Sequence, residues 1–178
     1  MTKLNAKQLR VSLGTKKPEE IYANPLVFIL DNVTDTYNIG SFFRLADALG
    51  AQKIYLTGQV VLPPNPKIHR ASVGLWRWVP WEHHSSAVPV IKKLKKDNWQ
   101  IIALEQTKNS KSYLDIKPRF PVALAVGHET EGVSTKILNQ ADEIINIPLY
   151  GVNRSLNVLV AASVVAYHLT SLIPLAST

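Results

Sequence analysis

The chain has 178 residues, no cysteine, 20 Lys plus Arg against 13 Asp plus Glu, and a formal net charge of +7. These figures predict one domain with a full core, exclude disulfides and thiolate metal sites, and favour an anionic partner. No secretory signal is legible at the N-terminus and no apolar run approaches 18 residues, so a soluble, cytoplasmic protein without membrane segments is expected.

Residues 1–24 carry Lys3, Lys7, Arg10, Lys16 and Lys17 among few large apolar residues. They predict a basic arm, either solvated packing or a contact for the anionic partner, ahead of one domain over 25–178. Leu26–Leu30 is a continuous apolar run of strand length, as expected of a strand covered on both faces. Asp31–Tyr37 turns the chain. From Ile39 to Leu49 the apolar positions Phe42, Phe43, Leu45, Ala46 and Leu49 recur at helical spacing, and Gly50 is placed to end that helix. Ala51–Leu56 predicts the next strand, and Gln59–Pro66, with three prolines, a loop.

His69–Trp81 holds three of the four tryptophans beside Arg70 and Arg77. Such indoles serve either as core and dimer anchors or as a surface on which bases stack. His83 and His84 have no acidic or cysteine partner at ligand spacing, so no metal is expected. Ser86–Asn98 predicts a helix with Val90, Ile91 and Leu94 inward and Lys92, Lys93, Lys95 and Lys96 outward. Trp99–Leu104 reads as a strand, and Gln106–Pro118 as a polar connection in which Ser110→Ala is expected to be neutral. Pro121–Val126 is another buried strand, Ser134–Gln140 a short helix and Glu143–Ile147 a strand. The loop Tyr150–Arg154 then leads to a helix from Ser155 to Leu172 that is apolar on nearly every face and is expected to lie inside the molecule. Alternating strands and helices predict an α/β fold with a mostly parallel sheet and helices on both faces, its ligand site beyond the strand carboxyl ends.

Three stretches fall at such ends. They are Asn38-Ile-Gly-Ser-Phe-Phe-Arg44, Ala125-Val-Gly-His-Glu-Thr-Glu-Gly132, and Ile147-Pro followed by Ser155-Leu-Asn-Val158. The Gly-x-Gly-x-x-Gly of dinucleotide folds is absent, as are the P-loop and the Gly-x-Ser-x-Gly elbow. His128-Glu129 opens like a zinc-protease signature, but position 132 is Gly rather than His. Ser155 could simply cap the last helix, with Asn157 satisfied in its first turn, or both could belong to a ligand site.

In order and spacing the three stretches resemble the motifs of the SpoU group of RNA 2′-O-ribose methyltransferases, within the SPOUT superfamily, over about Leu26 to Leu169. The resemblance implies a deep C-terminal trefoil knot, an S-adenosylmethionine cofactor, a homodimer and a structured RNA substrate, tRNA before rRNA. By motif position, Leu104, Glu105, Gly127, Ile147 and Leu156 would hold the cofactor, largely through main chain, with Gly127 clearing space for it. Arg44 would be the principal catalytic residue. Because arginine is a poor base, it reads as a fork that grips the target phosphate and steadies charge on the attacking oxygen. Asn38 would shape the site entrance, Glu129 would orient Arg44 or bind substrate, and Ser155 and Asn157 would complete the network. Lys16, Lys17, Arg44, Arg70 and Arg154 are candidate RNA contacts. Position 128, commonly Asn in the family, is His here, which leaves the role of that side chain open. A knotted RNA-binding or assembly factor without catalysis is the alternative, and a methyltransferase for a small molecule or a base atom is a second.

Overall fold

The computed structural model describes residues 18–174. Its strands are β1 (Asn24–Asp31), β2 (Ala51–Thr57), β3 (Trp81–His84), β4 (Gln100–Leu104), β5 (Lys111–Ser112), β6 (Val122–Val126) and β7 (Glu143–Asn146). Its helices are α1 (Pro18–Ile21), α2 (Thr36–Ala48), α3 (Pro66–Ser72), α4 (Ala87–Lys96), α5 (Thr135–Leu138) and α6 (Val158–Ser171). All seven strands run parallel in the order β3-β2-β1-β6-β4-β7-β5.

Parallel pairing requires crossovers, and these place helices over both faces of the sheet. Phe28, Leu30, Leu124 and Val126 point to one face, where they pack with Phe42 and Phe43 of α2, Ile68 of α3, and Val165 and Leu169 of α6. Val27, Ile29, Ala123 and Ala125 point to the other, against Val90, Ile91 and Leu94 of α4 and Ile137 of α5. Alternate residues of each strand thus serve two cores, which is why the strands read as unbroken apolar runs. Side-chain caps fix the helix starts. Asp35 accepts from the main-chain N–H of Tyr37 and Asn38, at 2.7 and 3.1 Å. Asn65, Ser86 and Asn157 do the same for α3, α4 and α6.

The expected strands and helices are present to within a few residues, with additions and corrections. α3 and the edge strands β3 and β5 were not legible: α3 is seven residues long and opens on a proline, while β3 carries two histidines and β5 only two residues. The last helix starts at Val158, so Asn157 and not Ser155 is its cap. It is not enclosed either. Ala162, Val165, Ala166 and Leu169 are buried, but Val160, Val164, Tyr167 and Leu172 are exposed. One sheet face can cover only one side of a helix, and the opposite side of α6 is bare in the single chain.

Lys16 and Lys17 lie outside the described residues. Tyr22 is buried and donates from its hydroxyl to Asp47 Oδ1 at 2.9 Å, so the chain has joined the core by that residue. Among the described residues no helix is long and apolar enough to cross a membrane.

A candidate active site at the carboxyl ends of the strands

β4, β6 and β7 lie side by side, and the segments that leave their carboxyl ends enclose a cavity of about 240 Å³. This is where open parallel sheets place ligands. Leu104, Glu105, Gly127, Ile147 and Leu156, far apart in sequence, all line it, together with Glu129, Arg154 and Ser155. Sequence spacing did not single out Gln106, in the connection after β4, or Asn146, at the end of β7, which also line it. Both are isolated polar positions without periodicity, and the pairing of β4 with β7 brings them here.

A hydrogen-bonded chain ties the three motifs together. Asn157 Nδ2 donates to Asn38 Oδ1 at 3.1 Å, and Asn38 Nδ2 donates to Glu129 Oε1 at 3.0 Å. Glu129 also accepts from the main-chain N–H of Asp35 at 3.1 Å, and from the N–H and hydroxyl of Thr34, each at 3.3 Å. Burial alone would raise the Glu129 carboxyl, but the bonds from Asn38 and the main chain outweigh it and hold the group below the usual carboxylate range. Asn38 is buried, and both ends of its amide are used. Glu129 therefore anchors the turn before α2. It makes no hydrogen bond or ion pair with Arg44 among the described residues.

The loop after β6 folds on itself. His128 N–H donates to Gly132 O at 3.1 Å and Gly132 N–H to His128 O at 3.0 Å. A Cβ at position 127 would fall on the main chain of Gly132 and Val133. The glycine is needed for this self-approach. Glu105 braces the same loop: its Oε2 accepts from Val133 N–H at 2.7 Å and its Oε1 from Gln106 N–H at 2.8 Å. His128 Nδ1 accepts from the N–H of Thr130 at 3.1 Å and of Glu131 at 3.3 Å. An Asn oxygen at that position could accept the same bonds, so His128 replaces it as a turn acceptor, with its ring proton on Nε2. Ser110 is not neutral ground. Its hydroxyl accepts from Asn146 Nδ2 at 2.8 Å and from Thr107 N–H at 3.1 Å and donates to Thr107 O at 2.9 Å, steadying a cavity-lining residue.

Arg44 stands apart. It is exposed on α2, does not line the cavity, and pairs with no carboxylate among the described residues. Arg70, exposed on α3, is also away from the cavity. Ser155 is exposed at the rim, where its N–H lies 3.4 Å from Asn153 Oδ1.

Residues 25–167 match the SpoU rRNA methylase family. The chain belongs to that family. Among SpoU relatives, the tRNA (guanosine(18)-2′-O)-methyltransferase of Aquifex aeolicus is 33% identical over 143 residues, 80% of this chain and 67% of the relative. Other relatives, staphylococcal proteins assigned to the TrmH family of tRNA/rRNA methyltransferases, are longer, and the chain spans 56% of the length of the one from Staphylococcus saprophyticus. The crystal structure of the SpoU methyltransferase AviRb of Streptomyces viridochromogenes with the cofactor AdoMet superposes with a TM-score of 0.75 at 27% identity, covering 82% of this chain and 56% of that one. A structure described as giving insight into 2-OH methylation of C/U34 on tRNA matches with the same TM-score and identity, over 84% of this chain and 98% of that one.

Proposed function

We propose that this SpoU chain is an S-adenosylmethionine-dependent RNA 2′-O-ribose methyltransferase that acts in the cytoplasm as a homodimer, on tRNA in preference to rRNA. The observation that carries the reading is that the second and third motifs line one cavity and that the Asn157–Asn38–Glu129 chain ties the first motif to both. A fold kept only for RNA binding has no need of that arrangement. The names of the Aquifex relative and of the C/U34 structure support tRNA, and the second shows that a chain of this size can be matched almost throughout.

The cavity suits the cofactor. Leu149, Leu156, Val158 and Ala161 offer apolar contacts for an adenine ring, while main-chain carbonyls at Gln106 and Gly127 offer acceptors. When bound, the cofactor supplies a methyl group on a positively charged sulfur. The ribose 2′-oxygen would take that methyl group as its carbon–sulfur bond broke, with the hydroxyl proton leaving to solvent or to the RNA phosphate. Arg44 grips that phosphate and favours the developing negative charge on the oxygen without accepting the proton. Ser155 and Arg154 sit at the mouth of the cavity, where the ribose must enter, and Asn38, Glu129 and Asn157 keep the mouth in shape.

Two further parts of the reading concern architecture. β7 lies between β4 and β5, both earlier in the chain, and α6 follows it onto the face that carries α2. A C-terminal knot, which the family resemblance implies, is compatible with that order. The bare face of α6, with Leu156 and Val160 exposed near Tyr37 of α2, supports an isologous dimer. The basic arm, with Lys16 and Lys17, adds phosphate contacts.

Calorimetry with S-adenosylmethionine and transfer of a labelled methyl group to unmodified tRNA and rRNA transcripts test the proposal together. Donor binding with transfer to tRNA is expected. Donor binding without transfer to either RNA would favour the non-catalytic alternative.

A further inference from the structure

We propose that the end of α3 and the turn that follows it form a second RNA contact, with Trp78 as a stacking platform for an unpaired base and Arg70 and Arg77 as phosphate ligands. The inference rests on the RNA methyltransferase reading and assigns part of its substrate surface.

The three clustered indoles are not equivalent. Trp76 and Trp81 pack partly against the core, and each N–H is used: Trp76 Nε1 donates to His69 Nδ1 at 3.2 Å and Trp81 Nε1 to Trp76 O at 3.1 Å. Trp78 is 59% exposed, and its indole N–H has no partner among the described residues. A tryptophan left this open on a surface is costly to hydration and marks a contact more often than a core position.

The backbone holds it out. Val73 has φ +53° and Gly74 φ +81°, two left-handed residues in a row that end α3 and reverse the chain into the turn at Leu75–Arg77. A β-branched residue in that region is strained. The strain is retained although Val73 itself is 53% exposed and fills no core.

The surroundings are cationic. Residues 48–81 contain no Asp or Glu, and Lys67, Arg70 and Arg77 are all exposed there. Neither arginine pairs with a carboxylate among the described residues, and Arg77 lies over the Trp76 ring, 5.2 Å from its centre. Open indoles beside unpaired guanidinium groups are what a flexible polyanion with flat bases needs: stacking that any base satisfies, and forks for phosphate.

Position joins this surface to the reaction. α3 crosses α2 at Gly40, where a Cβ would come within 2.9 Å of Ile68 O and within 2.5 Å of Ala71 Cβ. Gly40 belongs to the first motif, and Arg44 follows it one helical turn later. RNA gripped at Arg44 therefore continues naturally onto the Trp78 face.

The test uses the full chain with a fluorescently labelled, unmodified tRNA transcript and, separately, a single-stranded uridine dodecamer. Trp78→Ala should weaken tRNA binding about 5- to 100-fold, whereas Trp78→Phe, which keeps a ring, should stay within about threefold. Arg77→Gln should flatten the dependence of log affinity on log salt by about one. The dodecamer should quench part of the tryptophan emission of the wild type, and Trp78→Phe should lose that part. S-adenosylmethionine affinity and sedimentation behaviour should not change in any variant. Unaltered tRNA affinity in both Trp78→Ala and Arg77→Gln overturns the inference, as does Trp78→Ala dissociating the dimer, which would make the surface a contact between copies. The two levels separate cleanly: wild-type protein that transfers methyl groups while Trp78→Ala binds tRNA normally defeats only this assignment. Trp78-dependent RNA binding without methyl transfer to any RNA defeats only the proposed reaction.

Discussion

Asn38 is the residue on which the site's rigidity turns. Its amide accepts from the cap of α6 and donates to Glu129, so it joins the first motif to the other two inside the protein. Asn38→Ala leaves Glu129 short of a donor and Asn157 short of an acceptor, and should cost about 1–3 kcal/mol, measured by urea denaturation. Glu129 adds a pH signature. Its folded carboxyl is held below the ordinary value, so its stabilising contribution is complete above roughly pH 4.3, the unfolded value, and is lost as pH falls through the lower folded value. Glu129→Gln removes that contribution, and wild-type stability should fall more steeply than the variant's below about pH 4.3; parallel curves would contradict the assignment. At Gly127 the expectation is sharper than the sequence alone allowed. Even Gly127→Ala meets main-chain atoms of Gly132 and Val133, so the loop must open, and calorimetry should show donor binding lost while circular dichroism stays native.

Among the elements, α6 has one face too many for a single chain. Ala162, Val165, Ala166 and Leu169 satisfy the sheet, while Val160, Val164 and Tyr167 face outward. Covering each of these would contribute about 1.5–3 kcal/mol, which favours association through this side. Val164→Glu places a charge in that contact and should give a folded monomer by sedimentation; an unchanged dimer would move the interface elsewhere. The same helix shows how far sequence carries. Its length and apolar character were legible, but an all-round apolar helix does not say whether the second cover is its own chain or another copy. Periodicity gave the central strands because they are buried on both faces. It missed α3, whose Asn65-Pro66 start lies inside a proline-rich loop, and β3, whose pairing with β2 depends on main chain rather than side chains. The cavity-lining motif residues were legible by position, whereas the bracing by Glu105, the turn-acceptor role of His128 and the tie from Ser110 to Asn146 depend on strand neighbours 20 to 40 residues away or on local loop geometry.

At the level of the whole molecule, parallel pairing puts the ends of β4, β6 and β7 side by side, where the second and third motifs line the cavity, and the Asn157–Asn38–Glu129 chain ties the first motif, on α2, to them. The sheet sets the cavity, the polar chain through Asn38 braces its mouth, and α2 carries Arg44 exposed on the outside. The chemistry proposed for this molecule is methyl transfer to a ribose oxygen with Arg44 acting on the RNA and not on the cofactor. Its test is product analysis: unmodified tRNA transcript is incubated with wild-type protein or Arg44→Ala and S-adenosylmethionine, then digested to nucleosides for mass analysis, with donor affinity taken by calorimetry on the same preparations. A 2′-O-methylated nucleoside is expected from the wild type, and from Arg44→Ala at least a hundredfold less product (about 2.7 kcal/mol of transition-state stabilisation) at nearly unchanged donor affinity. A methyl group found on a base, or near-normal product from Arg44→Ala, would contradict it.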